Sequence, residues 1–445
     1  MKRSSVCCLL LAALLGSREV GAYPLDSSAA TGIARLEAYR LAGEGKVAAQ
    51  KLPPGALAAS TEIRLRLADR PDFVVPEPDP KWNAKLRSLL GDEADRYGIA
   101  ILDLTTLDRP HYGEHRGTVA QNPGSVGKIL VALALFQQLA DLYPDDLEAR
   151  RGILRKTQVT ADAFIQNDHH TVPFWNPGDA KVVKRRLAVG DTANLWTYLD
   201  WMCSNSSNAA ASMVMKQLVL LAHFGINYPV APENTAEFLD KTLKNNLKDL
   251  FVDGITKPVS RNGLDLEQLR QGSFFTAEGK RRIPGTSSHA TPRELMRYAV
   301  KMEQGRLVDR FASLEIKKLL YLTDRRIRYA SSPALNNEAV YFKSGSWFGC
   351  KPEPGFVCRQ YQGNVRNLMN SVAIVESRQR TPALHYVVVV MSNVLRKNSA
   401  VAHQTLATRI HRWMEAEHPS SAANTLDRPV SDGRQSQTAL SAAPR

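Results

Sequence analysis

The chain has few cysteines, and no two of them have the spacing that a thiolate metal site requires. Of its five cysteines, two lie in an apolar N-terminal segment, and Cys203, Cys350 and Cys358 remain. Because no C-x-x-C occurs, the pattern does not support such a metal site. Cys350 and Cys358 flank the turn-rich segment KPEPGFV, which predicts a local disulfide in an oxidising compartment. Cys203 is then expected to be a buried free thiol.

Other absences limit the partners that the sequence allows. No apolar run after residue 22 reaches 18 residues, so no membrane-spanning helix is predicted. His169 and His170 are adjacent but have no Asp/Glu set at metal-binding spacing, so we expect loop residues, no metal and no other cofactor. The net charge of +14 is scattered. Its densest run, KVVKRR at 181–186, has no interleaved aromatics and predicts no nucleic-acid binding. A basic protein still favours acidic partners such as anionic cell-wall polymers.

The first 22 residues have the organisation of a secretory signal. Lys2 and Arg3 precede the apolar segment VCCLLLAALLG, and the small residues of VGA come before Tyr23. This segment is too short to span a bilayer, and the arrangement is typical of a cleaved leader. We therefore predict that residues 1–22 are a signal peptide and that the protein is periplasmic or secreted.

The rest of the chain divides by composition. Residues 23–80 form an N-terminal extension that ends in a Pro-rich linker. The stretch IAILDL predicts a buried strand, residues from about 125 to 295 are mostly helical in pattern, and three strand-like stretches follow: AVYFKSGSWFG, LMNSVAIVES and ALHYVVVVMSN. A closing amphipathic helix precedes residues 419–445, whose composition predicts a disordered tail. The simplest fold is α/β (α+β): one antiparallel sheet from the early and late strands, an inserted helical subdomain, and a cleft between the two.

The stretch NPGSVGKILVALALF places Ser125 and Lys128 three residues apart at the start of an apolar helix. A Ser hydroxyl is a weak nucleophile that needs a base, and a Lys can serve when burial and nearby cations lower its pKa. A chain of this length holds about one or two S-x-x-K matches by chance at average composition. An ordinary core helix therefore remains an alternative for this motif taken alone.

Two further motifs also allow both a functional and a purely structural interpretation. Ser206 and Asn208 form an S-x-N just before an Ala-rich helix, where they either face a cleft or only cap the helix. Lys343, Ser344 and Gly345 lie in the strand AVYFKSGSWFG, where polar residues are expected at a cleft or on an exposed edge.

Together, S-x-x-K, S-x-N and K-S-G resemble the signature of the penicillin-recognising serine hydrolases. Over roughly residues 81–418 the chain resembles the class A β-lactamases and their relatives, the penicillin-binding D,D-peptidases. The stretch ATPRELMRYA is similar to the Thr-Pro helix start of that family. The resemblance implies a five-stranded antiparallel sheet flanked by helices, with an inserted all-α subdomain.

The resemblance also implies roles for the residues of the first two motifs. Ser125 is the acylated nucleophile, and Lys128 accepts its proton. Ser206 relays a proton to the leaving nitrogen, and Asn208 binds the substrate amide. The middle position of S-x-N is Ser207 here, where Asp is common in the family.

The third motif is expected to bind substrate. By the resemblance, Lys343 and Ser344 hold the substrate carboxylate, and the N–H groups of Ser125 and Ser346 form the oxyanion hole. Gly345 permits a close approach of the ligand to the backbone.

The residue that would activate the hydrolytic water is the least defined part of the resemblance. Class A enzymes carry a Glu, followed closely by an Asn, on a loop before the Thr-Pro helix. In this chain Glu267 is the best positional candidate and Glu278 a poorer one, and no Asn follows Glu267 at the family's spacing. A Glu on a helix surface is the alternative.

Three functions follow from this pattern. The first is an exported β-lactamase that hydrolyses β-lactams through an acyl-serine intermediate. The second is a D,D-carboxypeptidase or penicillin-binding protein that acts on peptidoglycan peptides. The third is a non-catalytic wall-binding module, which the complete Ser/Lys/Ser/Lys set disfavours.

Overall fold

A computed structural model describes residues 24–420 of the chain. The predicted signal peptide, residues 1–22, and almost all of the predicted tail, residues 419–445, lie outside the described residues. The strands are β1 (Tyr97–Asp103), β2 (His111–His115), β3 (Gln158–Thr160), β4 (Val172–Phe174), β5 (Val183–Arg185), β6 (Thr192–Asn194), β7 (Leu269–Arg270), β8 (His289–Ala290), β9 (Ala339–Gly349), β10 (Arg366–Glu376) and β11 (His385–Asn393).

The helices are α1 (Ser28–Thr31), α2 (Ala34–Gly43), α3 (Pro80–Leu90), α4 (Lys128–Leu142), α5 (Leu147–Lys156), α6 (Leu195–Cys203), α7 (Asn208–Phe224), α8 (Pro232–Lys241), α9 (Lys244–Arg261), α10 (Ala277–Arg282), α11 (Pro292–Glu303), α12 (Arg310–Tyr321) and α13 (Ser399–Glu417). Helix α4 is apolar around its circumference and lies in the core. By length and composition, Gly124–Leu142 and Asn208–Asn227 could cross a membrane, but 72% of each apolar window is buried within the fold.

The main sheet joins the two ends of the domain. Its order is β2-β1-β11-β10-β9, with every neighbouring pair antiparallel. Strand β11 reads HYVVVVMSN because both of its faces are buried: Val387 and Val389 enter one core, and Val388 and Val390 enter the other. The predicted five-stranded antiparallel sheet flanked by helices is confirmed.

The inserted region is less purely helical than expected. Within it, three two-stranded pairs form, β3 with β6, β4 with β5, and β7 with β8. These strands are two or three residues long and brace the loops between helices. The sequence shows no period-2 pattern there because such short strands are set by neighbouring contacts rather than by local propensity.

Part of the N-terminal extension is packed into the domain rather than tethered to it. Ile33 and Leu36 of the α2 region are fully buried. The Arg35 guanidinium donates two hydrogen bonds of 2.5 Å to the Asp200 carboxylate on α6, and a third of 3.0 Å to Ser204. The extension therefore supports the end of α6, from which the S-x-N segment leaves.

Candidate active site

Ser125 lies on a tight turn that comes immediately before α4. A 3₁₀ turn spans Gly124–Gly127, and α4 itself begins at Lys128, so only the Lys is in the α-helix that was expected to carry both residues. The turn still brings the two side chains together, with Lys128 Nζ 3.0 Å from Ser125 Oγ.

The Lys128 amine is buried among acceptors. Nζ donates to the Ser206 carbonyl oxygen at 2.6 Å and to Asn208 Oδ1 at 2.8 Å, and the Phe275 ring lies 4.7 Å from it. Burial, and after it the charge of Lys343, lowers the pKa of Lys128 well below its ordinary value. A neutral amine satisfies this arrangement, because its two N–H groups donate to the two carbonyl oxygens and its lone pair accepts from the Ser125 hydroxyl.

Ser206 lies between the two lysines of the site. Its backbone is in the left-handed region, with φ of +60°, a conformation that non-glycine residues keep only when their surroundings enforce it. Lys343 Nζ donates to Ser206 Oγ at 2.8 Å, and Lys128 Nζ is 3.4 Å from the same oxygen. The S-x-N and K-S-G motifs therefore meet directly at this hydroxyl.

Lys343 and Ser344 form a cationic end of the cleft with a residue that the sequence did not indicate. Arg328 donates from Nη1 to Ser344 Oγ at 2.8 Å and from Nη2 to Ser346 Oγ at 2.9 Å. Burial lowers the pKa of Lys343 to about 7. Arg328 starts a short 3₁₀ turn with φ of +58°, and no sequence motif surrounds it. Only the contact of Arg328 with β9 in the folded structure identifies this residue as part of the cleft.

Gly345 serves the protein rather than a ligand. A Cβ at this position would lie 2.3 Å from the Pro123 carbonyl oxygen and 2.6 Å from the Ser125 nitrogen. The space expected for a ligand is thus taken by the turn that carries Ser125. Gly124, with φ of +53°, lies against the Ser346 backbone from the other side, so β9 and the turn are in close contact.

Glu267 does not reach this cleft. It lies in an exposed turn, where its backbone N–H donates to Asp265 Oδ1 at 2.9 Å, and it does not line the cavity beside Ser125. Glu278 pairs instead with Arg281 and Arg282. The side chain of this interval that meets Lys128 is the Phe275 ring. The positional assignment of Glu267 is therefore corrected, because the loop turns it toward solvent.

Asp168 and His170 belong to a loop for which the sequence predicted no role in the site. His170 lines the cavity, whereas Asp168 contacts His170 from outside the cavity lining. Asp168 Oδ2 accepts hydrogen bonds of 2.9 Å from Ser207 Oγ and from the Ala209 N–H, and Asp168 Oδ1 lies 2.6 Å from His170 Nδ1. Burial alone would raise the pKa of Asp168, but the bonds from His170 and Ala209 hold it well below its usual range. A carboxylate thus stands beside the S-x-N segment even though Ser207 is not an Asp.

The cleft is a cavity of about 490 Å³ beside Ser125. Its wall includes His170, Asn208, Lys343 and Arg328, and none of its lining residues in the described part of the chain is an Asp or Glu. Next to it, a disulfide joins Cys350 to Cys358 in the loop after β9, and Cys203 is a buried free thiol.

No protein-family model matches the sequence, and no curated protein matches it. Among solved structures, the chain is similar to PBP-A, with 11% identity and a TM-score of 0.48 over 77% of this chain and all of that chain. It is similar to a β-lactamase from Sphaerobacter thermophilus, with 12% identity and a TM-score of 0.47 over 75% of this chain and 98% of that one. A β-lactamase from Xanthomonas campestris has 13% identity and a TM-score of 0.48, over 75% of this chain and 97% of that one.

Proposed function

We propose that the protein is an exported active-site-serine hydrolase of the class A β-lactamase type, which opens the β-lactam amide through an acyl-Ser125 intermediate. The observation that carries the proposal is the position of the Lys128 amine, which is buried, depressed in pKa and 3.0 Å from Ser125 Oγ. A buried lysine with a purely structural role does not require a serine hydroxyl at this distance. A nucleophilic serine, in contrast, requires a base at hydrogen-bond distance.

Acylation follows from the contacts around that pair. Lys128 Nζ takes the Ser125 proton as Oγ bonds to the lactam carbonyl carbon. The Ser206 hydroxyl, within 3.4 Å of Lys128 and 2.8 Å of Lys343, passes a proton to the nitrogen that leaves. The backbone N–H groups of Ser125 and Ser346 are the proposed donors to the oxyanion.

The charge of the cleft favours an anionic substrate. Arg328 and Lys343 converge on Ser344, and no carboxylate lines the cavity in the described part of the chain. Planar guanidinium groups suit carboxylates. The carboxylate shared by β-lactams and by peptides that end in D-Ala-D-Ala would bind at this end, with Asn208 on the amide.

The second candidate function is a D,D-carboxypeptidase or penicillin-binding protein that acts on peptidoglycan stem peptides. The observation in its favour is the Phe275 ring above Lys128, at the interval where class A enzymes carry their catalytic Glu. The two candidates share acylation and differ in how fast the acyl group leaves.

Incubation with a chromogenic cephalosporin, followed by absorbance and intact mass, separates them. Sustained colour supports the hydrolase, and one stoichiometric burst with a stable adduct supports the penicillin-binding protein. A folded protein that gives neither colour nor adduct contradicts both. The matched variant S125A should abolish colour and adduct while keeping the circular dichroism spectrum of the parent.

A further inference from the structure

The cleft contains acylation groups but no carboxylate to activate water. None of the cavity-lining residues in the described part of the chain is acidic, and the Lys128 amine donates to the Ser206 carbonyl oxygen and to Asn208 Oδ1. Hydrolysis of an acyl-serine still requires a base for water. Two imidazole side chains, those of His169 and His170, line the cavity.

A hydrogen bond to Asp168 orients the His170 ring, whereas His169 is exposed. The His170 ring lies 2.6 Å from Asp168 Oδ1, and Asp168 is itself fixed by Ser207 and the Ala209 backbone. The His170 side chain is 17% exposed. His169 stacks on it at 4.3 Å between ring centroids.

The Asp168 contact also sets the tautomer. A carboxylate acceptor at Nδ1 keeps the proton on that nitrogen, which leaves Nε2 with its lone pair. Within residues 24–420, the His170 ring makes no hydrogen bond besides the one to Asp168. Burial, opposed by the hydrogen bond to Asp168, lowers the pKa of His170 to about 4. The ring is therefore neutral at pH 7.

We propose that His170, oriented by Asp168, is the base that activates water for hydrolysis of the acyl-Ser125 intermediate. Nε2 takes a proton from water while the water oxygen bonds to the acyl carbonyl carbon. The ester bond to Ser125 Oγ then breaks. The proton on His170 passes through solvent in the cleft to Lys128 and from there to Ser125 Oγ, which returns every group to its starting state. This inference rests on the proposed acylation of Ser125.

The experiment measures acylation and deacylation separately in H170Q, H170A and the control H223Q, which changes an exposed residue of α7 outside the cavity lining. Each folded protein is acylated with a cephalosporin, excess substrate is removed, and loss of the adduct is followed by intact mass. We expect H170Q to acylate at the parent rate and to deacylate about 100-fold more slowly or worse, which is the usual contribution of a general base. H223Q should behave as the parent, and added imidazole should accelerate deacylation of H170A.

The pH profile gives a second readout. His170 faces Asp168, His169 and Lys128, and it is a competent base only when unprotonated. The parent's deacylation rate should therefore be flat near neutrality and fall as the pH drops through about 4, and H170Q should lack this limb. Deacylation of H170Q at the parent rate overturns the inference, and so does a parent acyl-enzyme that never hydrolyses. Either result leaves acylation intact, whereas a folded parent that gives neither colour nor adduct refutes the proposed function itself.

Discussion

Substitution of Gly345 by Ala is expected to damage acylation without adding or removing a reactive group. The new Cβ would lie 2.3 Å from the Pro123 carbonyl oxygen, 2.6 Å from the Ser125 nitrogen and 2.9 Å from the Val126 nitrogen. All three are backbone atoms, in the Gly124–Gly127 turn or directly before it, so no flexible side chain can move aside. The strain must be relieved by displacing either β9 or the turn.

The size of the effect follows from the distances. Ordinary van der Waals contact begins near 3.4 Å, so the turn or the strand must move by about 1 Å, and a misplacement of this size costs on the order of 100-fold in rate. Both the Ser125 hydroxyl and the oxyanion donors depend on this contact. We therefore expect the acylation rate of G345A to fall by about two orders of magnitude.

The assay is the rate of adduct formation by intact mass under single-turnover conditions. The matched control is G349A on the same strand, because a Cβ there would be 3.6 Å from its nearest neighbour, the tip of the Arg366 side chain. G349A should acylate at the parent rate. If folded G345A also acylates at the parent rate, the prediction is wrong. The close packing of β9 on the Gly124–Gly127 turn then does not position Ser125.

Three further predictions follow from the contacts of the site and its support. K128M should reduce acylation by about 100-fold or more, and unchanged single-turnover kinetics would exclude Lys128 as the base. R35M leaves the buried Asp200 carboxylate without its partner and should lower the free energy of unfolding by about 3–5 kcal/mol. Urea denaturation measures this free energy. A loss below about 1 kcal/mol would contradict a structural role for the N-terminal extension. Because Lys343 is charged only below its pKa of about 7, kcat/KM for carboxylate-bearing substrates should decline as the pH rises through 7, and K343R, which keeps its charge, should lack that decline.

The elements that the sequence predicted are those with a strong local pattern. Strands β9 to β11 are long and apolar, and α11 begins with Thr291 as N-cap and Pro292 in the first turn, as its sequence indicated. The three motifs predicted which residues would meet, because each combines a reactive side chain with a recognisable strand or helix start.

The groups that the sequence missed act through contacts between distant segments. Asp168 reaches Ser207 across 39 positions, and Arg35 reaches Asp200 across 165. Arg328 is directed to Ser344 by a left-handed backbone conformation that nothing in its neighbours signals. Glu267 was assigned by spacing alone, and spacing along a loop does not fix which side chain turns inward.

The most direct test of the account is to locate the acyl group. The protein is incubated with a penicillin, quenched with acid, digested and mapped by tandem mass spectrometry. We predict at most one acyl group per chain, on the peptide that carries Ser125 and at that residue, and none in S125A. An acyl group on another residue such as Ser206, or a folded protein that shows neither an acyl group nor hydrolysis of the penicillin, would contradict it.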